Sequence, residues 1–352
     1  MAETLLSQSV LDVLIIIASF IALNYASSIA ISNAAKVATV SRLGKTSVGF
    51  TLIAMSTTLP ELTVAVIASF SGGAPLSVGN VLGSNIFNIS VILGLAALLI
   101  HLKQLRKPHN SNGNTSLNVI PAFAKSELSS IEFGIFISSV IPLVLIYIST
   151  ATWIVGLILL FIFVGYMYRL SKVRMPAENN QAASDQKSKL KRFLILTIAG
   201  ALGVVISANF LVTSAVRIAE AAGASQQMIG ATIIAAGTSL PELTIGLKSI
   251  LGGHPALAFG NIIGASFVNT TLILGITFCL PAALGSSLQM NLSVFQNLVI
   301  FSIMTNLFFW YFLSREKIGW REGAMFLFIY VLFVATTLGI IHPQPPTTST
   351  LV

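Results

Sequence analysis

Apolar runs of 16 to 28 residues, each closed by a short polar break, recur along the whole chain. The bilayer core asks for about 20 such residues in a helix, so the pattern predicts membrane spans. Ten are placed: Leu11–Ala38, Ser47–Phe70, Leu76–Ile100, Leu128–Ile148, Trp153–Tyr168, Phe193–Ala219, Met228–Ile250, Ala256–Cys279, Leu292–Leu313 and Ala324–Ile341. Leu102–Ser126 reads as a loop, Ser171–Leu190 as a charged, solvated linker, and the Pro/Thr stretch from His342 as a loose tail. Spans 4, 5, 9 and 10 read as apolar, with Pro142 bending the fourth. Glu3 and Asp12 but no Lys or Arg precede or open the first run, which outlasts a signal sequence, so it is read as a retained span.

Composition agrees with this pattern. With 55% hydrophobic and 9% charged residues, the 352-residue chain cannot be a soluble domain. A net charge of +8 would suit nucleic acid, but its placement explains it better. Of the 19 Lys and Arg residues, 18 fall at or after the ends of spans 1, 3, 5, 7 and 9, and Arg217 alone lies opposite. The positive-inside rule then makes those loops cytoplasmic and puts both termini outside, with no nucleic-acid partner. A single cysteine, Cys279, excludes an internal disulfide. An integral protein of a prokaryotic plasma membrane is expected.

Two polar strings interrupt the apolar background. Ala235-Ala236-Gly237-Thr238-Ser239-Leu240-Pro241-Glu242 sets a carboxylate directly after a proline inside a membrane span. An ionised side chain at the bilayer centre costs about 3 kcal/mol or more, which makes it a functional candidate. Pro241 has no N–H for the Gly237 carbonyl one turn earlier, so the helix is expected to kink or break and free backbone oxygens. With the Thr238 and Ser239 hydroxyls, these form a set of hard oxygen ligands suited to Ca²⁺ or Na⁺. The string alone also fits a proline kink whose Glu is satisfied by neighbouring helices.

The same string stands 181 positions earlier as Ala54-Met55-Ser56-Thr57-Thr58-Leu59-Pro60-Glu61, and from Gly49/Gly230 to Gly94/Gly275 the copies share 19 of 46 positions. A second string follows in each, Gly79-Asn80-Val81-Leu82-Gly83-Ser84-Asn85 and Gly260-Asn261-Ile262-Ile263-Gly264-Ala265-Ser266. Asn80, Ser84 and Asn88 recur at steps of four on one helical face, as do Asn261, Ala265 and Asn269. Small-residue packing between helices explains that face equally well. The copies begin at spans 2 and 7, an odd offset, so the second enters the membrane upside down. Two inverted five-helix repeats follow, 1–170 and 191–341, joined by a cytoplasmic linker at 171–190, with 342–352 as the tail. That plan is typical of secondary transporters, with broken helices, here 2, 3, 7 and 8, meeting at a midplane site. Glu61 and Glu242 would converge there with no Lys or Arg to neutralise them, and one divalent cation would cancel both charges. An intramembrane enzyme using them as an acid/base pair is a remote alternative, for no His or Cys assists in the core.

The paired strings resemble the alpha-repeats of the Ca²⁺/cation antiporter superfamily, nearest the sodium/calcium exchanger branch. The resemblance implies an all-α polytopic transporter that is not an enzyme, carries no cofactor, and takes inorganic cations as substrates, exchanging Na⁺ for Ca²⁺ by alternating access. It implies ligands from the Glu61 and Glu242 carboxylates, from Thr57, Thr58, Thr238 and Ser239, from the Ala54 and Ala235 carbonyls, and from Ser84, Asn88 and Asn269. Spans 1 and 6 would slide across this core. Departures occur where relatives often carry Ser in place of Ala265, Gly in place of Ser56 and Ser in place of Thr58, which bears on the Na⁺ count. Asn269 favours Na⁺/Ca²⁺ over potassium-dependent exchange. H⁺/Ca²⁺ antiport is the alternative, although the Gly-Asn-x-x-Glu arrangement of proton exchangers is absent.

Overall fold

A computed structural model describes residues 2–41, 45–70, 74–105, 125–148, 152–171, 189–221, 235–283, 295–315 and 318–337. Every regular element among them is helical. Lipid offers no partner for backbone N–H and C=O groups, and a helix satisfies its own.

The first part of the chain comprises α1 (Ala2–Ser41), α2 (Lys45–Val48), a π turn (Gly49–Ile53), α3 (Ala54–Thr57), α4 (Leu59–Phe70), α5 (Ala74–Phe87), a second π turn (Asn88–Ile92), α6 (Leu93–Leu105), α7 (Lys125–Ile148) and α8 (Trp153–Ser171). The second comprises α9 (Leu190–Ala221), α10 (Ala235–Thr238), α11 (Leu240–Leu251), α12 (Pro255–Val268), a third π turn (Asn269–Ile273), α13 (Leu274–Ala283), α14 (Gln296–Ser314) and α15 (Trp320–Thr337). Seven helices among the described residues are long and apolar enough to cross a membrane, and the bent pair Lys45–Thr57 with Leu59–Val66 makes up to eight. Of the two other expected spans, α7 contains a shorter apolar stretch, Glu132–Val144, and residues 228–234 of Met228–Ile250 lie outside the described residues. The expected loop interior 106–124, linker interior 172–188 and tail 338–352 also lie outside them.

Breaks occur at two of the four expected places. Thr58, at φ −80° and ψ 8°, and Ser239, at φ −91° and ψ 4°, leave helical geometry at equivalent points, two residues ahead of Pro60 and Pro241. The first break bends its span by 45°. Spans 3 and 8, also expected to be broken, instead run on as continuous helices, Ser77–Lys103 and Pro255–Ala283. Their prolines explain the correction. Pro75 and Pro255 sit in a first turn, where the missing N–H is not needed, and Pro281 lies near the end of α13. What these spans have in place of a break is a π turn beginning at Asn88 and Asn269, one extra residue that widens the helix beside the polar face.

Burial separates core from periphery. The window of Pro255–Ala283 is 83% buried, against 22% for Trp153–Leu170, so α12 and α13 run through the centre while α8 shows a largely apolar face outward. Close approach fixes α12. A Cβ on Gly260 would stand 2.1 Å from the Thr46 carbonyl oxygen, and one on Gly264 2.8 Å from that of Phe50, so only glycine lets α12 lie against the α2–α3 segment. Asn261, next to Gly260, is thereby brought to Thr57. On the other side α1 and α9 pack along each other, with Gly200 against the backbone of Ala26 and Ala30. Their ends are pinned by Arg217, which donates to the buried carboxylate of Asp12 and, at 2.9 Å, to Ser214. The basic residue that stood alone in the sequence thus has its partner on another helix.

Spans 4 and 9 are less apolar than expected. Ser138 on α7 and Ser302, Thr305 and Asn306 on α14 are all buried. Pro142 inside α7 has no N–H to give to the Ser138 carbonyl, and the Asn306 amide donates to that oxygen at 3.5 Å.

Candidate functional site

Each broken span restarts on Leu-Pro-Glu, so Glu61 and Glu242 occupy the first turn of α4 and α11. N–H groups of a first turn have no helical acceptor, and the helix dipole there favours a negative charge, which eases but does not remove the cost of burial. Both side chains are 0% exposed. They lie close enough for each charge to act on the other. The only ion pair among the described residues is Arg217 with Asp12, so neither glutamate has a cationic side chain as partner.

Bonds crossing between the halves shape the surroundings. Thr57 donates to Asn261 Oδ1 at 3.3 Å, and its equivalent Thr238 donates to Asn80 Oδ1 at 3.3 Å. Each hydroxyl also approaches a carboxylate of the opposite half, Thr57 that of Glu242 and Thr238 that of Glu61. Within the first half, Ser84 donates to Glu61 Oε1 at 3.4 Å. Asn269 Nδ2 donates to Asn85 Oδ1 at 3.0 Å, and Asn85 Nδ2 to the Ser266 carbonyl at 3.5 Å.

The predicted ligands come together with unequal availability. Thr57, Thr58, Ser84, Asn88, Ser239 and Asn269 are all buried, Thr238 is half-buried, and Ser84, Thr57 and Thr238 are the ones whose hydroxyls reach a glutamate. Glu61 Oε2, both Glu242 oxygens, Ser239 Oγ, Asn88 Oδ1 and Asn269 Oδ1 are buried oxygens with no hydrogen-bond partner. Such orphaned atoms are costly unless something else satisfies them, and a group of hard oxygens suits an alkali or alkaline-earth cation. The Ala54 carbonyl is more heavily used, accepting from Thr58 N at 3.0 Å, Thr58 Oγ1 at 3.0 Å and Thr57 Oγ1 at 3.2 Å. Ala235 opens α10 and can offer only its backbone. Among the described residues no three of His, Cys, Asp and Glu gather at one point, so two carboxylates within neutral oxygens are the charged chemistry available.

Three residues of this network, Asn80, Asn85 and Asn261, were not among the predicted ligands. Asn80 and Asn261 carried a signal, for they open the steps of four that end on Asn88 and Asn269. Asn85 closes the first Gly-Asn string but has no counterpart in the second copy, where Ser266 replaces it.

A model of the family described as sodium/calcium exchanger protein matches residues 11–172 and 192–339. The chain is 30% identical over 292 residues to the uncharacterized membrane protein MJ0091 of Methanocaldococcus jannaschii, covering 82% of this chain and 85% of that one. It is 27% identical over 320 residues to the sodium/calcium exchanger MaX1 of Methanosarcina acetivorans, covering 82% and 87% of the two chains. Its fold is similar to that of the sodium-calcium exchanger NCX_Mj soaked with 10 mM Na⁺ and zero Ca²⁺, with a TM-score of 0.76, 25% identity, and 93% and 99% coverage. The family match spans both halves of the site and nearly all of the described helices, and on that ground this integral membrane protein belongs to the sodium/calcium exchanger family.

Proposed function

We propose that the protein is a secondary antiporter exchanging Na⁺ for Ca²⁺ across a prokaryotic plasma membrane by alternating access. Ten spans form two inverted five-helix repeats, 1–170 and 191–341, joined by a cytoplasmic linker at 171–190, with both termini outside and 342–352 as a loose tail. The cation site lies near the bilayer midplane, where Glu61 and Glu242 meet with Thr57, Thr58, Thr238, Ser239, Ser84, Asn88, Asn269 and the carbonyls of Ala54 and Ala235. Membership of a transporter family removes the acid/base enzyme from consideration.

One observation carries the reading. Two carboxylates, one from each half, are buried together with no cationic partner, and Ser239 Oγ, Asn88 Oδ1 and Asn269 Oδ1 are further buried oxygens without a hydrogen-bond partner. Repulsion and desolvation make that arrangement unfavourable by itself, and a divalent cation relieves both at once. Several Na⁺ ions can occupy the same oxygens but not together with Ca²⁺, so the ions exclude each other. Access changes sides only when one or the other is bound, and this is the coupling.

The experiment is uptake of labelled Ca²⁺ into proteoliposomes with Na⁺, K⁺ and pH varied independently. An outward Na⁺ gradient is expected to drive uptake that K⁺ neither supports nor is needed for. A proton gradient that fully replaces Na⁺ would move the assignment to H⁺/Ca²⁺ antiport.

A further inference from the structure

Asn80 and Asn261 stand behind the proposed ligands, and each accepts from a threonine of the opposite half at 3.3 Å. A hydroxyl can offer its lone pairs to a cation only if its proton points elsewhere, into an acceptor. The Thr57 hydroxyl lies near three acceptors, the Ala54 carbonyl at 3.2 Å, Asn261 Oδ1 at 3.3 Å and the Glu242 carboxylate, and a proton turned to that carboxylate would occupy an oxygen the cation itself needs. The Ala54 oxygen already receives the Thr58 amide and hydroxyl and is itself an expected ligand, so a proton sent there costs the site an oxygen. Asn261 Oδ1 has no such conflict. It is contributed by a chain position 204 residues away, and Asn261 is 0% exposed. In the other half, Thr238 finds Asn80 Oδ1 at 3.3 Å from 158 residues away. Asn80 Nδ2 and Asn261 Nδ2 are both buried without a partner, so each amide is held here by its oxygen's contact alone.

We propose that Asn80 and Asn261 are positioning residues which accept the hydroxyl protons of Thr238 and Thr57 and thereby turn those two oxygens toward the transported cation. The inference rests on the cation site proposed above. Because donor and acceptor belong to opposite halves, the orientation exists only while the halves are in register, and each half prepares a ligand for the other.

A double-mutant cycle tests this on the purified full-length protein, with Ca²⁺ affinity read by calorimetry and folding by thermal unfolding. Asn261→Ala and Thr57→Val are each expected to weaken Ca²⁺ binding about tenfold, as loss of an outer-shell partner does in other metal sites. The double variant should be no weaker than Thr57→Val, since without the hydroxyl there is no proton to accept. Pairing Asn261→Ala with Thr238→Val should instead multiply the two losses. The mirror pair, Asn80→Ala with Thr238→Val, gives the same reading if Asn261→Ala does not fold. Independent losses within both cross-half pairs, in a protein whose native form binds Ca²⁺, would overturn the positioning role and leave the site standing. Absence of Ca²⁺ binding by the native protein would overturn both.

Discussion

Glu61 and Glu242 occupy equivalent places in equivalent backbones, yet a hydroxyl that stands beside Glu61 is missing beside Glu242. Ser84 donates to Glu61 at 3.4 Å, whereas the matching residue beside Glu242 is Ala265, fully buried, and neither Glu242 oxygen has a hydrogen-bond partner. The scaffold around them is close to symmetric, with similar dihedrals at Thr58 and Ser239 and π turns starting at Asn88 and Asn269. Duplication therefore accounts for where the carboxylates are, and side-chain divergence for how strongly each needs a cation. Both carboxylates are approached by a threonine of the opposite half, so the one that lacks a serine donor has more to gain from an ion, and the second half should hold its cation more tightly.

The carboxylates themselves are where this comparison breaks hardest. Glu61→Gln or Glu242→Gln removes a charge whose attraction to a nearby cation is about 4 kcal/mol at an effective dielectric of 20, enough for a loss of Ca²⁺ exchange of about a hundredfold or more. Both variants should fold, because each relieves repulsion between buried like charges. In cation-free buffer the rise in unfolding temperature should be larger for Glu242→Gln, whose native carboxylate lacks a serine donor such as Ser84. Near-native uptake by either variant would remove the two-carboxylate site, and equal thermal shifts would remove the asymmetry.

A smaller effect separates Thr58 from Ser239, the residues at the two breaks. Thr58 Oγ1 is committed to the Ala54 carbonyl at 3.0 Å, while Ser239 Oγ is buried without a partner. Ser239→Ala is expected to weaken Ca²⁺ binding about tenfold, the worth of one hydrogen-bond-like contact to a charged group, and Thr58→Ala only about twofold. Equal losses in calorimetric titrations would mean that the Thr58 hydroxyl leaves its carbonyl when the cation binds.

Much of this was legible in the sequence because the governing rules are local. Hydropathy marked the seven or eight of the ten expected spans that are long and apolar enough among the described residues, Pro60 and Pro241 marked the breaks, and the repeat put the glutamates in matching turns. The expectation that spans 3 and 8 would break failed because Gly-Asn strings without a mid-span proline leave the helical ladder intact, and a π turn relieves it instead. What depends on packing between distant segments was out of reach. The partners of Thr57 and Thr238 lie 204 and 158 residues away, and the pairing of Arg217 with Asp12 spans 205. Asn306 reads as a stray polar residue in an apolar span until Pro142 of another helix leaves the Ser138 carbonyl open to it.

The finest test moves the distinguishing hydroxyl between the halves. Ala265→Ser should give Glu242 a counterpart of the Ser84 donor and add an oxygen for a monovalent ion, shifting the Na⁺ concentration for half-maximal exchange by about fivefold while Ca²⁺ affinity stays within about twofold. An unchanged Na⁺ titration would make position 265 a matter of packing. Combining it with Ser84→Ala exchanges the two environments. If the backbone is as symmetric as the dihedrals at Thr58 and Ser239 indicate, this double variant should fall back to within about twofold of the native Na⁺ dependence, because the halves together again carry one hydroxyl. It should also reverse the order of the two glutamine substitutions, so that Glu61→Gln now raises the unfolding temperature more. A double variant that keeps the native order would place the asymmetry in the helices around the site and not in the single oxygen beside Glu61.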